Sequence, residues 1–195
     1  MERLRAPQKR RQQTRDRLLE ASRSLVHANG YAGFRVEDAV RAADVAKGTF
    51  FSHFADRDSL LAILIGDDLT NLMSELSERP APESIPEFCE GLEPLTKYLA
   101  RDRHVFDVII RHSGALSEAS IGPIAQNFGD QAELFGKWIA HGHGKLYRDD
   151  ISVHLLAEGV QAFLIQAVSL QFCAIHNSRP LEETFQEYLS AWLIK

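Results

Sequence analysis

Cysteine is scarce in this chain, with 2 among 195 residues. Cys89 and Cys173 are too few for a disulfide framework, and neither lies in a CxxC motif or a Cys/His cluster with metal-ligand spacing. Both are typical of small buried apolar residues. A secreted, disulfide-stabilised fold is therefore excluded.

Long apolar runs are also lacking. The N-terminus MERLRAPQKRRQQTR is charged, and no apolar segment of signal-peptide length follows it. No run approaches the roughly 18 apolar residues of a membrane span. Since 45% of the residues are apolar, the chain can still bury a core. We expect a soluble, cytoplasmic, globular protein with no membrane partner.

Motifs of enzyme chemistry are missing as well. The sequence has no nucleophile elbow, no phosphate-cradling glycine loop and no carboxylate pair with a partner base, so we expect neither an enzyme nor a cofactor. His141 and His143 lack a nearby third ligand, and we predict no metal site. His104 and His112 fit a half-buried polar face; a hydrolase that uses either one is an alternative for an activity screen.

Charge is unevenly distributed along the chain. The formal net charge is -5, yet residues 1–57 hold 12 Lys and Arg against 7 Asp and Glu. A small nucleic-acid-binding head on an acidic body would show this asymmetry, because phosphates attract only the basic face. A solvated basic tail would show it too, and charge alone leaves both interpretations open.

Hydrophobic periodicity predicts helices almost throughout and no strand. Gly and Pro mark the breaks between them. The predicted helices span residues 12–29, 36–43, 47–54, 57–78, 84–101, 103–115, 123–142, 151–176 and 181–194. The predicted fold class is all-α, with about nine helices: a three-helix head in residues 1–56 and a helical bundle in residues 57–195.

The second and third predicted helices are short and joined by only three residues, 44–46, which is typical of a helix-turn-helix. Phe50 and Phe54 lie four residues apart, so we expect both rings to face the interior and anchor the third helix. Gly48 has no side chain and would let the backbone approach a sugar-phosphate chain. The remaining positions of this helix are expected to face outward: Lys47, Thr49, Phe51, Ser52 and His53.

The span from Gly30 to Leu61, GYAGFRVEDAVRAADVAKGTFFSHFADRDSLL, resembles the DNA-binding domain of the TetR/AcrR-type transcriptional regulators. The matching positions are in register over the whole span: Gly30-Tyr31, Val36, Asp38, Ala43, Val45, Lys47-Gly48-Thr49, His53-Phe54 and Leu60-Leu61. The resemblance implies a DNA-binding head, a fourth helix that begins with a phosphate contact, and a bundle that binds a ligand and dimerises.

The resemblance, together with the positions of the positive charges, predicts which residues of this sequence contact DNA. The candidates are Arg10, Arg11, Arg35, Lys47, Gly48, Thr49, Phe51, Ser52, His53 and Arg57. The basic arm, Arg3 to Arg15, would lie along the minor groove beside the head. For Arg3 to Lys9 a disordered tail is an equal alternative.

The chain departs from the family pattern at five sites, two of which are residue pairs. Phe34-Arg35 and Ala46 stand where hydroxyl side chains would cap the second and third helices. Ala39-Val40 replaces an Ile-Ala pair, and Asp44 replaces a turn glycine, which is tolerable because Asp enters the left-handed region. Phe51 stands where a tyrosine hydroxyl would meet a phosphate. We therefore expect DNA binding to depend more on charge than on neutral hydrogen bonds.

The bundle holds many aromatic side chains, most of which must be core. The resemblance implies a ligand site among them, for a small and largely apolar effector. The candidate lining residues are Phe106, Ile110, His112, Phe128, Phe135, Trp138, Phe163 and Gln166.

Residues 151–194 are the candidate homodimer interface, because the helix over 151–176 is apolar or small nearly all round. In the final helix the expected interface residues are Phe185, Leu189, Trp192 and Leu193. The sequence thus predicts a ligand-responsive repressor released from a palindromic, double-stranded DNA operator by a small molecule. The alternative is a helical small-molecule-binding or adaptor protein with a degenerate DNA-binding head.

Overall fold

The computed structural model describes residues 5–115, 121–175 and 178–195, with side chains from residue 8 onward. These residues form helices and contain no β-strand, so the predicted all-α class is confirmed. In chain order the helices are α1 (Arg5–Gly33), α2 (Val36–Ala42), α3 (Lys47–Phe51), α4 (Arg57–Ser77), α5 (Ile85–Ala100), α6 (Arg103–His112), α7 (Pro123–Gly142), α8 (Val153–Gln171) and α9 (Leu181–Leu193).

Two predicted helix ends were wrong by more than one turn. Helix α1 begins at Arg5 rather than residue 12, so of the two alternatives for Arg3 to Lys9 the disordered tail is wrong for residues 5–9. Arg3 and the side chain of Arg5 lie outside the described part of the chain. Helix α8 ends at Gln171, whereas the predicted helix ended at residue 176. Residue 176 itself lies outside the described part of the chain.

Helix α3 is also shorter than the predicted span 47–54, because it ends at Phe51. The turn closes with the amide groups of His53 and Phe54 both donating to the carbonyl oxygen of Phe50, at 2.9 and 3.0 Å. The expected burial of the two anchoring rings nevertheless holds, since Phe50 and Phe54 are 0% and 4% exposed.

The head owes its compact shape to two residues with positive φ. Gly30, at φ 72°, kinks α1, and the chain then turns so that Tyr31 and Phe34 become buried. Asp44, at φ 51°, makes the tight turn between α2 and α3. The expectation that Asp44 replaces a turn glycine in the left-handed region is confirmed. These two turns bring α2 against α1 and α3 against α2.

Helix α4 joins the head to the body. Its first turn is capped by Asp56, whose carboxylate accepts a 2.7 Å hydrogen bond from the amide of Ser59. Helix α4 contacts α1 in the head and packs chiefly against α7 in the body. The predicted domain boundary between residues 56 and 57 therefore falls where α4 begins.

The body is a stack in which α7 packs between α4 and α8, and α9 covers α8. Phe88, Phe135 and Phe185 are among its largest fully buried side chains. Contrary to expectation, Phe185, Leu189 and Leu193 of α9 are buried within the chain rather than offered to a second copy. Helix α9 turns this face toward α5 and α8, and helical periodicity alone does not distinguish a face that packs within the chain from one that packs between chains.

By length and composition α8 is the one helix in the described segments that could cross a membrane, with a mean hydropathy of 1.4 over its most apolar window. This is weak support for a span, because core helices pass the same test. Helix α8 packs against α7 on one side and α9 on the other, and those contacts account for the burial of Leu156, Val160 and Leu164.

Candidate nucleic-acid interface

Helix α3 has one buried face and one open face. The rings of Phe50 and Phe54 pack against each other with their centroids 5.3 Å apart, inside the head core. Phe51, on the opposite side, is 51% exposed. The backbone at Gly48 is open, since a Cβ placed there would meet no atom within 4 Å. The helix can therefore present its outer face and its N-terminal turn to a large partner.

The N-terminal turn of α3 carries one cation and no cap. Ala46 makes no side-chain capping bond, as its sequence departure predicted. The ammonium of Lys47 lies 2.6 Å from a carboxylate oxygen of Glu37, which holds the pKa of Glu37 below its usual value. Both side chains are more than half exposed, so this pair is weak. Lys47 can exchange Glu37 for a phosphate at little cost.

Two arginines of α1 bind the C-terminal end of α3. Arg11 donates a 3.2 Å hydrogen bond to the carbonyl oxygen of Ser52, and Arg15 donates a 3.0 Å bond to that of His53. The guanidinium of Arg15 also lies 4.5 Å above the ring of Phe54. These cations satisfy the free carbonyl groups of a helix end and complement its dipole. The sequence predicted Arg15 only as a DNA contact of the basic arm, and its internal contacts with the end of α3 were not foreseen.

His53 lies beside these arginines, and partial burial together with their charges disfavours its protonated form. Its partial burial, followed by the positive charges of Arg11 and Arg15, lowers its pKa below the usual value. At neutral pH the ring is therefore uncharged. The expected charge contribution of His53 to DNA binding is weakened in the free protein, although a neutral imidazole can still donate a hydrogen bond.

The remaining predicted cations differ in their exposure and in whether they have a partner within the protein. Arg10 and Arg35 are exposed, and Arg35 precedes α2 without making a capping bond. Arg57 is half-buried and donates a 2.9 Å hydrogen bond to the carbonyl oxygen of Tyr31. In this position Arg57 ties the start of α4 to the end of α1. Thus Arg10, Arg35 and Lys47 are the predicted cations best placed for an external anion.

A buried polar cluster joins the head to the body. The hydroxyl groups of Tyr31 and Tyr98 both donate to one carboxylate oxygen of Asp68, at 2.8 and 3.0 Å. Burial is the main cause that raises the pKa of both tyrosines. The guanidinium of Arg101 lies 5.3 Å from the Tyr31 ring and 5.0 Å from the Tyr98 ring. The end of α1 is therefore attached to α4 and α5 at a fixed place.

The eight predicted ligand-site residues do not converge on one cavity. Phe135 and Trp138 are core side chains, and Trp138 packs edge-on against Phe88 at 5.3 Å. Phe163 packs instead against α9, with its centroid 5.1 Å from that of Tyr188. The other five have these positions: Phe106 is buried beside Phe172, His112 and Phe128 are half-buried, and Ile110 and Gln166 are exposed.

A groove of about 280 Å³ lies elsewhere on the described surface, between α5 and α9. It is lined by Cys89, Phe185 and three glutamates, Glu90, Glu93 and Glu182, among others. Burial raises the pKa of the Cys89 thiol to about 11, so this thiol is not an activated nucleophile. None of the eight predicted residues lines this groove. Within the described residues, no group of three His, Cys, Asp or Glu side chains is placed to hold a metal ion.

Comparison with known proteins identifies the head. Residues 18–64 match the family model described as bacterial regulatory proteins, tetR family. A 72-residue segment is 28% identical to the HTH-type transcriptional repressor DhaR of Mycobacterium sp. (strain GP1). That segment covers 37% of this chain and 36% of DhaR, so the chain matches about a third of the length of this curated relative.

Solved structures show that the whole architecture is shared. RolR in complex with resorcinol superposes with a TM-score of 0.66 at 21% identity, covering 96% of this chain and 91% of that one. Thermus thermophilus FadR, a TetR-family repressor in complex with lauroyl-CoA, gives 0.62 at 18% identity, covering 91% and 92%. At these identities the likeness concerns the fold. The match of residues 18–64, which contain α2 and α3 entirely, shows that the head is a DNA-binding domain of the type found in the tetR family of bacterial regulatory proteins.

Proposed function

We propose that the protein is a dimeric transcriptional repressor of the cytoplasm, which binds a palindromic operator and is released by a small molecule. One observation carries this proposal: α3 is anchored from behind by Phe50 and Phe54 and at its end by Arg15, while its outer face is open. A short helix held in this way is suited to entering a major groove. No catalytic role is proposed.

The contacts to DNA divide by chemistry. Arg10, Arg35 and Lys47 would neutralise phosphates and set the register on the duplex. Thr49 and Ser52, on the outer side of α3, are placed to meet base edges, and the open backbone at Gly48 allows close approach. Phe51 would lie beside the sugar-phosphate backbone.

A second copy would bind at the outer faces of α8 and α9. Leu155 is 48% exposed, and Phe163, Tyr188 and Trp192 are half-buried where the two helices meet. An isologous contact through these side chains would cover them. It would also separate the two heads by one helical turn of DNA, about 34 Å, as two half-sites require.

The body would hold the effector. RolR and Thermus thermophilus FadR were solved with resorcinol and lauroyl-CoA, which supports a bundle that accepts small organic molecules. A ligand shifts an equilibrium between two conformations only if it binds one of them more tightly. The repressor would therefore leave DNA if the effector binds more tightly to the conformation whose heads are too far apart or too close to fit successive major grooves.

The test begins with selection of genomic fragments by the purified full-length protein, followed by gel shifts over a salt series. We expect a palindromic sequence to be enriched, and its affinity to fall steeply as salt rises. Lys47→Ala should reduce the salt slope by about 1.8, because the dimer loses two phosphate contacts at about 0.9 each. A matched control is Arg179→Ala, since Arg179 pairs with Glu187 on α9, and this variant should leave the slope unchanged. Equal slopes for all three proteins would contradict the proposal.

The alternative function is a ligand-binding or adaptor protein whose head has lost DNA binding. One observation favours it: neither Arg35 nor Ala46 makes a side-chain capping bond. Under this alternative the selection would enrich no palindrome, although the protein would remain folded and dimeric.

A further inference from the structure

Three amide side chains form a chain of hydrogen bonds in the body. Asn127 and Gln131 lie one turn apart on the inner face of α7, and both are 0% exposed. Gln161 of α8 is half-buried. We call Asn127, Gln131 and Gln161 the amide chain. None of the three was selected as a ligand contact by the sequence pattern.

A backbone carbonyl group sets the donor-to-acceptor direction of the hydrogen bonds in the amide chain. Gln161 Nε2 donates 2.8 Å to the carbonyl oxygen of Phe128, which can only accept, so the amide of Gln161 has one orientation. The same nitrogen lies 3.4 Å from Gln131 Oε1, and Gln131 Nε2 then donates 2.8 Å to Asn127 Oδ1. Reversing any one amide would place nitrogen against nitrogen or oxygen against oxygen.

The amide chain therefore ends at Asn127 in an N–H donor that has no acceptor in the described part of the protein. Asn127 Nδ2 is buried and has no hydrogen-bond acceptor among the described residues. A buried amide without an acceptor destabilises a folded protein, because it loses its bonds to water and gains none. Such a group in a core is a common mark of a binding site, where local stability is given up for function.

Asn127 lies in the interior of the body. It lies one turn beyond Pro123, where α7 approaches α4 so closely that a Cβ at Gly66 would come within 2.5 Å of the proline ring. Helix α7 also packs against α8. Asn127 thus lies on a helix that packs between α4 and α8, and the hydrogen-bonded amides lead from it to half-buried Gln161.

We propose that Asn127 Nδ2 donates to an oxygen of the effector, and that the buried end of this effector is a neutral carbonyl or hydroxyl group. This proposal rests on the proposed function of the body as the ligand-binding domain. The effector end is neutral because no fully buried side chain in the described body is charged. A carboxylate placed there would lose its hydration without gaining a counter-charge.

Three small probes test the chemistry: acetophenone, its isostere α-methylstyrene, which has a methylene in place of the carbonyl oxygen, and benzoate, which is charged. In the ¹⁵N-labelled full-length protein, acetophenone should shift the side-chain NH₂ resonance of Asn127, identified by its loss in Asn127→Leu. It should also raise the melting temperature. The other two probes should do neither. An unmoved resonance at saturating acetophenone, or equal stabilisation by α-methylstyrene, overturns the proposal.

A variant pair separates this site from general packing. Asn127→Leu removes the free donor and also the oxygen that accepts from Gln131 Nε2, so the probe-free protein should melt lower and lose its response to acetophenone. Thr96→Val is the control, since the buried Thr96 hydroxyl already donates 3.0 Å to the carbonyl oxygen of Leu92. This variant should melt lower and keep the response. An acetophenone response that persists in Asn127→Leu would overturn the proposal.

Operator binding is measured in parallel, so that the two proposals fail separately. If wild-type protein shows the acetophenone response but binds no operator, the donor site stands and the repressor function fails. If Asn127→Leu binds operator as tightly as the wild type and acetophenone releases both proteins equally, the repressor function stands and the role of Asn127 fails.

Discussion

Arg15 of α1 donates a 3.0 Å hydrogen bond to the carbonyl oxygen of His53 and lies 4.5 Å above the ring of Phe54. This arginine comes from the basic segment in which the sequence indicates phosphate contacts. The structure gives it an internal partner instead, at the end of the helix that would read DNA. Its charge therefore orients α3 before any DNA is bound.

Replacing Arg15 should lower affinity without changing its salt dependence. In Arg15→Gln the hydrogen bond is weakened and the ring contact is lost, so we expect roughly tenfold weaker operator binding. The slope of log affinity against log salt should match the wild type, because no phosphate contact is removed. Gel shifts at five salt concentrations measure both quantities. A slope reduced by about 1.8, or about 0.9 for each of the two copies, would instead identify Arg15 as a phosphate ligand.

Phe51→Tyr should tighten operator binding. The ring is 51% exposed on the open face of α3, so a para hydroxyl can be added without disturbing the core. A charge-assisted bond to phosphate contributes about 1.5–3 kcal/mol, which corresponds to a gain of tenfold or more. Phe51→Leu is the control and should bind no more tightly than the wild type. Unchanged affinity in Phe51→Tyr would show that this ring does not lie beside the DNA backbone.

Ala46→Ser should stabilise the head. Ala46 precedes α3 with the extended backbone of an N-cap, φ -73° and ψ 150°, and makes no capping bond. A serine hydroxyl there can accept from the free amides of the first turn, which contributes about 1 kcal/mol. Urea denaturation measures the change in the free energy of unfolding. Ala42→Ser, in the last turn of α2, is exposed but cannot cap, and it should be neutral or slightly destabilising.

The stability of the head should fall on mild acidification because of His53. Its pKa is lowered in the folded state, so between that value and the ordinary value of about 6.5 the unfolded chain binds more protons. Stability contributed by the neutral ring is therefore present above about pH 6.5 and is lost as the pH falls toward the folded-state pKa. His53→Gln should remove this component from the pH dependence of unfolding. His154→Gln, on the exposed side of α8, should retain it.

Gly66→Ala should destabilise the body. An added Cβ would come within 2.5 Å of the Pro123 ring, which forces α4 and α7 apart at their closest approach and costs about 1–3 kcal/mol. Thermal unfolding measures the loss. Gly129→Ala is a matched control on α7, because a Cβ there meets no atom within 4 Å. That variant should gain up to about 1 kcal/mol from helix propensity.

Local sequence signals were sufficient for most of the fold. The span predicted for α7, residues 123–142, agrees with the observed helix, because Gly122-Pro123 marks its start and apolar residues recur with helical period. The turn at Asp44 and the missing caps at Arg35 and Ala46 could likewise be read from residue type. These features depend on neighbours within a few positions in the chain.

The candidate ligand site could not be predicted in the same way. Aromatic residues at helical spacing indicated a core, but Trp138 packs against Phe88 and Phe163 against Tyr188, on different sides of the body. The three members of the amide chain carry no motif, since Gln161 lies 30 residues from Gln131. Only the packing of α8 on α7 brings them together.

By itself, the sequence determined an all-α chain with a basic, TetR-like helix-turn-helix head, because periodicity, turn residues and the matching span from Gly30 to Leu61 are properties of local segments. The tertiary structure alone decided which cations remain open and which hold the head together. Arg15 and Arg57 donate hydrogen bonds to the carbonyl oxygens of His53 and Tyr31. Arg10 and Arg35 stay exposed. Residues distant in the chain must meet before a charge acquires an internal partner, and that meeting is a consequence of packing.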